Sequence, residues 1–167
     1  MPPAISFASA AENHLDDVHA YLLYLTGDPS AAEDLTAETF EKAFKLWPRY
    51  DPGRASAKTW LCRIARSTAL DHFRSEQRRR RRERIYALRE PPEPVEGAFG
   101  EGLSPTIEAA LHALSPGERE VIALRVVLDL DAEGAARLLG ISATACSTRL
   151  SRALSKLEEG VRSHVAA

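Results

Sequence analysis

Residues 58–84 hold the side chains best suited to chemistry. They include Lys58, Trp60, Arg63, Arg66, Asp71, Phe73, Arg74 and the unbroken run Arg78 to Arg82. Lys and Arg outnumber Asp and Glu by 10 to 3 over this stretch, a local charge of +7. Guanidinium groups neutralise phosphates and aromatic rings stack on unpaired bases, so the combination suits a nucleic-acid strand. A solvated basic helix end has a similar composition, and the run alone does not separate the two. Bond-making chemistry has less support. The chain has no Gly-rich phosphate loop and no nucleophile elbow. His14, His19, His72, His112 and His164 show no metal-ligand spacing with one another or with Cys62 and Cys146. Adjacent carboxylates such as Asp16 and Asp17 read as solvated surface. The reading therefore has no catalytic residue, no metal and no cofactor.

The elements that position these groups read as helices throughout. Residues 58–84 contain no Pro or Gly and form one long helix with Leu61, Ile64, Ala65 and Thr68 on one face. Arg63, Arg66 and Arg74 lie roughly opposite. Before it, residues 1–10 read as a loose lead-in. Leu15, Val18, Leu22 and Leu25 set a helix that stops at Gly27. Asp28-Pro29 caps and starts a second helix, which ends at Trp47-Pro48 with Ala32, Leu35, Phe40, Ala43 and Trp47 inward. Residues 48–55 form a loop, and Ser56 can cap the long helix.

Glu90 to Gly102 is rich in Pro, Gly and Glu and reads as an extended, mobile linker. Helical spacing resumes at Ile107, Ala110, Leu111 and Leu114. Ser115-Pro116-Gly117-Glu118 matches a capping box, followed by Val121, Ile122, Leu124 and Leu128 inward. Asp131 to Leu139, a break at Gly140-Ile141-Ser142, and a last helix from Ala143 to about Val161 complete the chain. Cys146, Leu150, Ala153, Leu154 and Leu157 should face its core. This helix, Gly turn and polar-faced helix is a helix-turn-helix arrangement, which places its second helix in the DNA major groove. An ordinary helical hairpin has the same pattern. The fold class is all-α: two small helical domains, residues 1–88 and 105–167, joined by a flexible acidic linker at 89–104.

Net charge is only −2, but it is segregated. Glu12 to Glu41 holds eight acids and no Lys or Arg, and residues 91–105 hold three acids and no base. One acidic surface for a protein and one basic surface for nucleic acid fit this pattern. No apolar run nears the roughly 20 residues of a membrane span, and residues 1–20 lack the pattern of a secretory signal. A cytoplasmic protein with buried free thiols at Cys62 and Cys146, and without membrane insertion, is expected.

Four blocks carry a family resemblance. They are Ala32 to Phe40; Thr59 to Ser67 with Leu70 to Arg74; Leu114 to Val121; and Leu139 to Ser142 with Arg149 to Leu154. Together they resemble the extracytoplasmic-function (ECF) sigma factors of bacterial RNA polymerase, in family order over about residues 12–160. The resemblance implies a non-catalytic promoter-specificity subunit that contacts the clamp and flap regions of core RNA polymerase. Asp34, Leu35, Glu38, Thr39 and Glu41 would dock on the polymerase. Tyr50, Arg54, Lys58, Trp60, Arg63, Arg66, Ser67, Asp71 and Arg74 would recognise the melted −10 element of promoter DNA. Ala143, Thr144, Ser147, Thr148, Arg149 and Arg152 would read the −35 element. An inhibitory anti-sigma factor is implied because many members are held that way.

The chain departs from the family pattern at Ala37, where Gln is frequent, and at Ser67, where Asn is frequent. Ala145-Cys146-Ser147-Thr148 replaces a frequent Thr-Val-Lys-Ser, and that lysine is a DNA contact. Gly134 stands where an acidic residue is usual, at a helix cost of up to about 1 kcal/mol. The alternative is a conventional helix-turn-helix regulator with an N-terminal sensor or dimerisation domain, which would bind a palindromic duplex unaided. An adaptor without nucleic-acid function would make both basic faces incidental.

Overall fold

Seven α-helices account for the fold of the described residues. A computed structural model describes residues 4–84 and 94–167. They are α1 (Phe7–Thr26), α2 (Pro29–Leu46), α3 (Ala57–Arg84), α4 (Pro105–Ala113), α5 (Pro116–Ile122), α6 (Ala132–Leu139) and α7 (Ala143–Val165). A 3-10 turn, Trp47–Arg49, ends α2, and a π-helical turn, Ala123–Val127, prolongs α5.

Local chemistry starts and stops these helices. Ser6, Asp28, Ser104, Ser115, Asp131 and Ser142 each accept a backbone N–H of the first turn, the usual N-cap bond. Gly27 and Gly140 end α1 and α6 at φ 61° and 68°, the left-handed conformation that glycine adopts without a Cβ clash. Gly134 also has a local reason. Its N–H donates to Asp131 Oδ1 at 2.6 Å, and a Cβ there would lie 2.8 Å from the same oxygen.

Several expectations change. The lead-in is shorter than the first ten residues: Ser6 caps α1, and Phe7 packs edge-on against Phe44 and Trp47 at 5.4 and 5.6 Å. The apolar start is a lid on the end of α2. α7 runs to Val165, and Leu154 is exposed although its spacing placed it inward. Cys146 and Ala153 occupy the buried line of α7, with Leu150 and Leu157 half-buried beside them. The linker expectation at 89–93 lies outside the described residues. Two residues of the rest are packed against the core. Ala98 is buried, and Phe99, 4% exposed, contacts Tyr24, His112 and the Arg119 guanidinium at ring distances of 5.6, 4.6 and 5.5 Å.

Phe99 marks a larger feature: one apolar core runs through both halves. Val18, Tyr21, Leu22 and Leu25 of α1 share it with Leu61, Cys62 and Ala65 of α3 and with Val121, Ile122, Leu124 and Leu128. α1 packs against α2 and α3 on one side and against α5 and its π-turn on the other. Both cysteines are buried free thiols. Burial, aided by the Asp17 charge and opposed by Lys58, pushes the Cys62 thiol up to about 12.

Burial at Phe99 should matter for stability. Phe99→Ala is expected to lower unfolding free energy by about 3 kcal/mol, as deletion of a buried aromatic ring does. Chemical denaturation measures it. A loose, solvated Phe99 would give a change under about 0.5 kcal/mol.

Candidate nucleic-acid interface

α3 carries the side chains expected to meet a DNA strand, and a hydrogen-bonded loop precedes its first turn. Tyr50 donates its hydroxyl to the Ala55 carbonyl at 3.0 Å, closing residues 50–55 into a short loop. Asp51 accepts the Gly53 N–H at 2.9 Å and pairs with Arg54 at 3.6 Å. The Thr59 N–H reaches Ser56 Oγ at 3.2 Å. Tyr50 stacks on Trp47 at 4.8 Å, and both contact Trp60 at 5.1 and 5.6 Å. These rings form a half-buried aromatic wall beside the exposed Arg54. Helical spacing makes Trp47 an inward core position, and the structure leaves it half-buried in this wall. Its place in the wall follows from the Pro48 turn, which folds α2 back beside the loop.

Further along α3, the expected residues share one face. Arg63, Arg66, Ser67, Leu70, Asp71 and Arg74 line a groove of about 270 Å³, closed on its other side by Leu138 of α6. Arg63, Ser67, Asp71 and Arg74 are exposed. Asp71 pairs with Arg74 at 3.2 Å, which leaves this carboxylate orienting an arginine.

Two bases on this face are already engaged. Arg66 Nε donates to Glu120 Oε1 at 2.7 Å, and the Tyr21 hydroxyl donates to the same oxygen at 2.7 Å. Glu120 is 6% exposed. Burial first, then the Glu120 charge and hydrogen bond, raise the Tyr21 hydroxyl pKa well above its ordinary value, so it stays a donor. Lys58 donates to the Leu128 carbonyl and lies 3.6 Å from Asp17.

α7 presents the second polar face. Ser142, Thr144, Ala145, Thr148, Arg149, Arg152, Ala153 and Lys156 line a concavity of about 570 Å³ with Glu118 of α5. Thr144, Ser147, Thr148, Arg149 and Arg152 are exposed, as a groove-reading face requires. Ala143 instead packs against the core, so it supports the helix start. Ser147 stands exposed where the lysine is usual, while Cys146 fills a buried position. Lys156, one helical turn beyond Arg152, lines the same concavity. It bonds Glu118 Oε1 at 3.0 Å. Burial would raise the Glu118 carboxyl, but Lys156 and Ser115 outweigh it and hold the carboxyl below its usual range.

The acidic helix also needs correction. Leu35 and Thr39 are buried, and the Thr39 hydroxyl bonds its own helix at the Leu35 carbonyl. Neither offers a surface. Asp34, Ala37, Glu38 and Glu41 form the exposed stripe, and Phe44 extends it with 65% exposure. Phe44 follows Glu41 at i+3, a spacing that composition alone did not single out.

Known proteins share this architecture. The Sigma-70 region 2 model matches residues 10–79, and the Sigma-70, region 4 model matches residues 105–157. The ECF RNA polymerase sigma factor SigC of Mycobacterium tuberculosis is 33% identical over 140 residues, covering 82% of this chain and 73% of the relative. SigE of Mycolicibacterium smegmatis is 30% identical over 95% of this chain. The chain spans 63% of that relative and 60% of BldN from Streptomyces coelicolor. The sigma factor RpoE of Bartonella quintana, solved in complex with the anti-sigma factor NepR, superposes at a TM-score of 0.79 with 25% identity. That match covers 93% of this chain and 96% of the other.

A two-region helical chain with these motifs is a sigma-70-type protein. It belongs to the ECF family of RNA polymerase sigma factors.

The shared carboxylate makes a stability prediction. Glu120→Ala strands the Tyr21 hydroxyl and Arg66, and is expected to cost about 2 kcal/mol, while Tyr21→Phe costs about 1 kcal/mol. Denaturant midpoints for the two variants check the order. Equal, negligible losses would show that the carboxylate is solvated.

Proposed function

We propose that the chain is the subunit that gives core RNA polymerase its promoter specificity. The supporting observation is the pairing, in one ECF-family fold, of an arginine–aromatic face on α3 with a polar helix-turn-helix face on α7. Arg63, Arg66 and Arg74 neutralise phosphates of the melted −10 strand, and the Tyr50–Trp60 wall beside Arg54 takes an unstacked base. Thr144, Ser147, Thr148, Arg149 and Arg152 meet the −35 duplex in its major groove. Asp34, Glu38 and Glu41 dock on the polymerase, with Phe44 as an apolar contact at the end of the stripe. The chain acts by binding, without a catalytic step of its own, and works in the cytoplasm beside the polymerase.

Leu138 borders the −10 face and Glu120 holds Arg66, so the two halves separate before α3 takes the strand. The second reading is an anti-sigma partner that binds the closed form. The likeness to a sigma factor solved with such a partner supports it.

The first experiment is capture of bacterial core polymerase by this chain, followed by run-off transcription from the bound complex. Retention with promoter-dependent transcripts is expected. Free protein that shifts a palindromic duplex without retaining polymerase would instead establish a conventional regulator. Arg63→Ala with Arg66→Ala should reduce open-complex formation by at least about tenfold while polymerase retention persists, given losses of roughly 1 kcal/mol or more per phosphate-contacting cation. Unchanged promoter opening would remove both residues from the −10 role. Glu38→Arg with Glu41→Arg should instead weaken polymerase retention by about tenfold or more, since like charges meet across the interface. Retention at the unmodified level would free α2 from docking.

A further inference from the structure

One of the three arginines in the −10 reading is not free to meet a strand. Arg63 and Arg74 are exposed, whereas the Arg66 side chain is 27% exposed and donates its Nε–H to Glu120 at 2.7 Å. That partner comes from the other half of the chain. Glu120 is buried on α5, and the Tyr21 hydroxyl of α1 donates to the same carboxylate oxygen at 2.7 Å. Carboxylate and phosphate are alternative anions for one guanidinium, since both accept charge-assisted N–H bonds. While Glu120 holds Arg66, the opposite charges offset each other and their joint pull on a phosphate is largely lost. Leu138 of α6 lines the same groove as Arg63, Ser67, Asp71 and Arg74, so the second half also stands beside the strand path.

We propose that Glu120 stands in for a DNA phosphate at Arg66, so that the chain's own second half blocks its −10 face until the halves part. The inference rests on the sigma reading above and names the group that controls its DNA surface. The exclusion is electrostatic as well as steric. A strand phosphate that took Arg66 would leave Glu120 a buried anion with the Tyr21 hydroxyl as its one donor among the described residues. A buried charge that loses its ionic partner is costly. The carboxylate must then reach water, which requires α5 to leave α1 and α3. Closure and strand binding therefore oppose each other, and by linkage each weakens the other by the same factor. The closed form does not hang on this pair alone. Arg119, the next residue, donates to the Tyr24 and Leu25 carbonyls of α1, and Phe99 packs on Tyr24 from the linker. α5 thus carries both an anchor of the closed form and the carboxylate that occupies Arg66.

Competition of this kind is read in the affinity of the free full chain for single-stranded DNA. The probe is a fluorescein-labelled single strand bearing the −10 element of a promoter that core polymerase transcribes with this chain, and anisotropy follows its binding. Apparent affinity scales with the open fraction, so weakening the closed form tightens binding. Glu120→Gln keeps an acceptor for Tyr21 but loses the charge, and should tighten binding by about tenfold. Tyr21→Phe changes no charge and should tighten it by about threefold. Glu159→Gln removes one negative charge from an exposed site on α7, and should leave binding within about twofold. In complex with core polymerase, where the sigma reading has the halves apart, Glu120→Gln should give no gain. No gain in either Glu120→Gln or Tyr21→Phe, an equal gain in Glu159→Gln, or an undiminished gain on polymerase would each overturn the inference. If Glu120→Gln does not fold, Tyr21→Phe decides alone. The sigma reading stands in all of these cases, provided the unmodified chain gives promoter-dependent transcripts. If it gives none, both fall.

Discussion

Two neighbouring charges, Arg119 and Glu120, hold the two halves of the chain together. Arg119 is 7% exposed, and its guanidinium bonds carbonyls where two helices end. It donates to Tyr24 and Leu25 at the end of α1, at 2.7 and 3.3 Å. It also donates to Leu114 and Leu111 at the end of α4, at 2.6 and 3.4 Å. Terminal carbonyls have no partner within their own helix, and a cation there also meets the negative end of each helix dipole. A lysine has one nitrogen and could not span four acceptors; the planar fork of arginine can. Burial lowers the Arg119 pKa from its ordinary value, yet the group stays charged because arginine starts so high.

Glu120 completes the same junction on the other side of the helix. Its carboxylate sits between the Tyr21 hydroxyl and Arg66, so a buried anion has two donors. Buried charges stabilise only when fully partnered, and removal of one partner is expensive. The junction is therefore cohesive in this packing of the two halves. Arg66 links this junction to the proposed DNA face of α3, where Leu138 also stands. One side chain thus belongs to both the packing of the halves and the proposed DNA surface.

Surface charge follows a simpler logic. Once Leu35, Thr36, Thr39 and Ala43 turn inward, the acids of α2 are left on the outer stripe, and Phe44 remains with them. α3 likewise buries Leu61, Cys62, Ala65 and Ala69, which leaves arginines outward along its length. Two opposite potentials on one small protein suit a subunit that meets protein on one face and nucleic acid on the other.

Much of this was legible in the residues. Asp28-Pro29, Ser115-Pro116 and Ser142 mark helix starts through hydrogen bonds spanning two or three residues, and Gly27 and Gly140 mark stops through their own backbone freedom. Apolar periodicity placed Leu61, Ala65, Val121 and Leu128 inward, and the arginine run marked the basic end of α3. Tertiary structure alone decided the rest. Thr39 looks available on an acidic helix until α1 and α3 pack on α2 and bury it. Phe99 looks like part of a loose acidic stretch until Tyr24, His112 and Arg119 surround it. The Glu120 bonds to Arg66 and Tyr21 span 54 and 99 residues. Caps and helical faces are short-range and repeat within a few residues, so sequence encodes them openly. Pairings over such separations depend on where whole helices come to rest, and only the folded chain determines that.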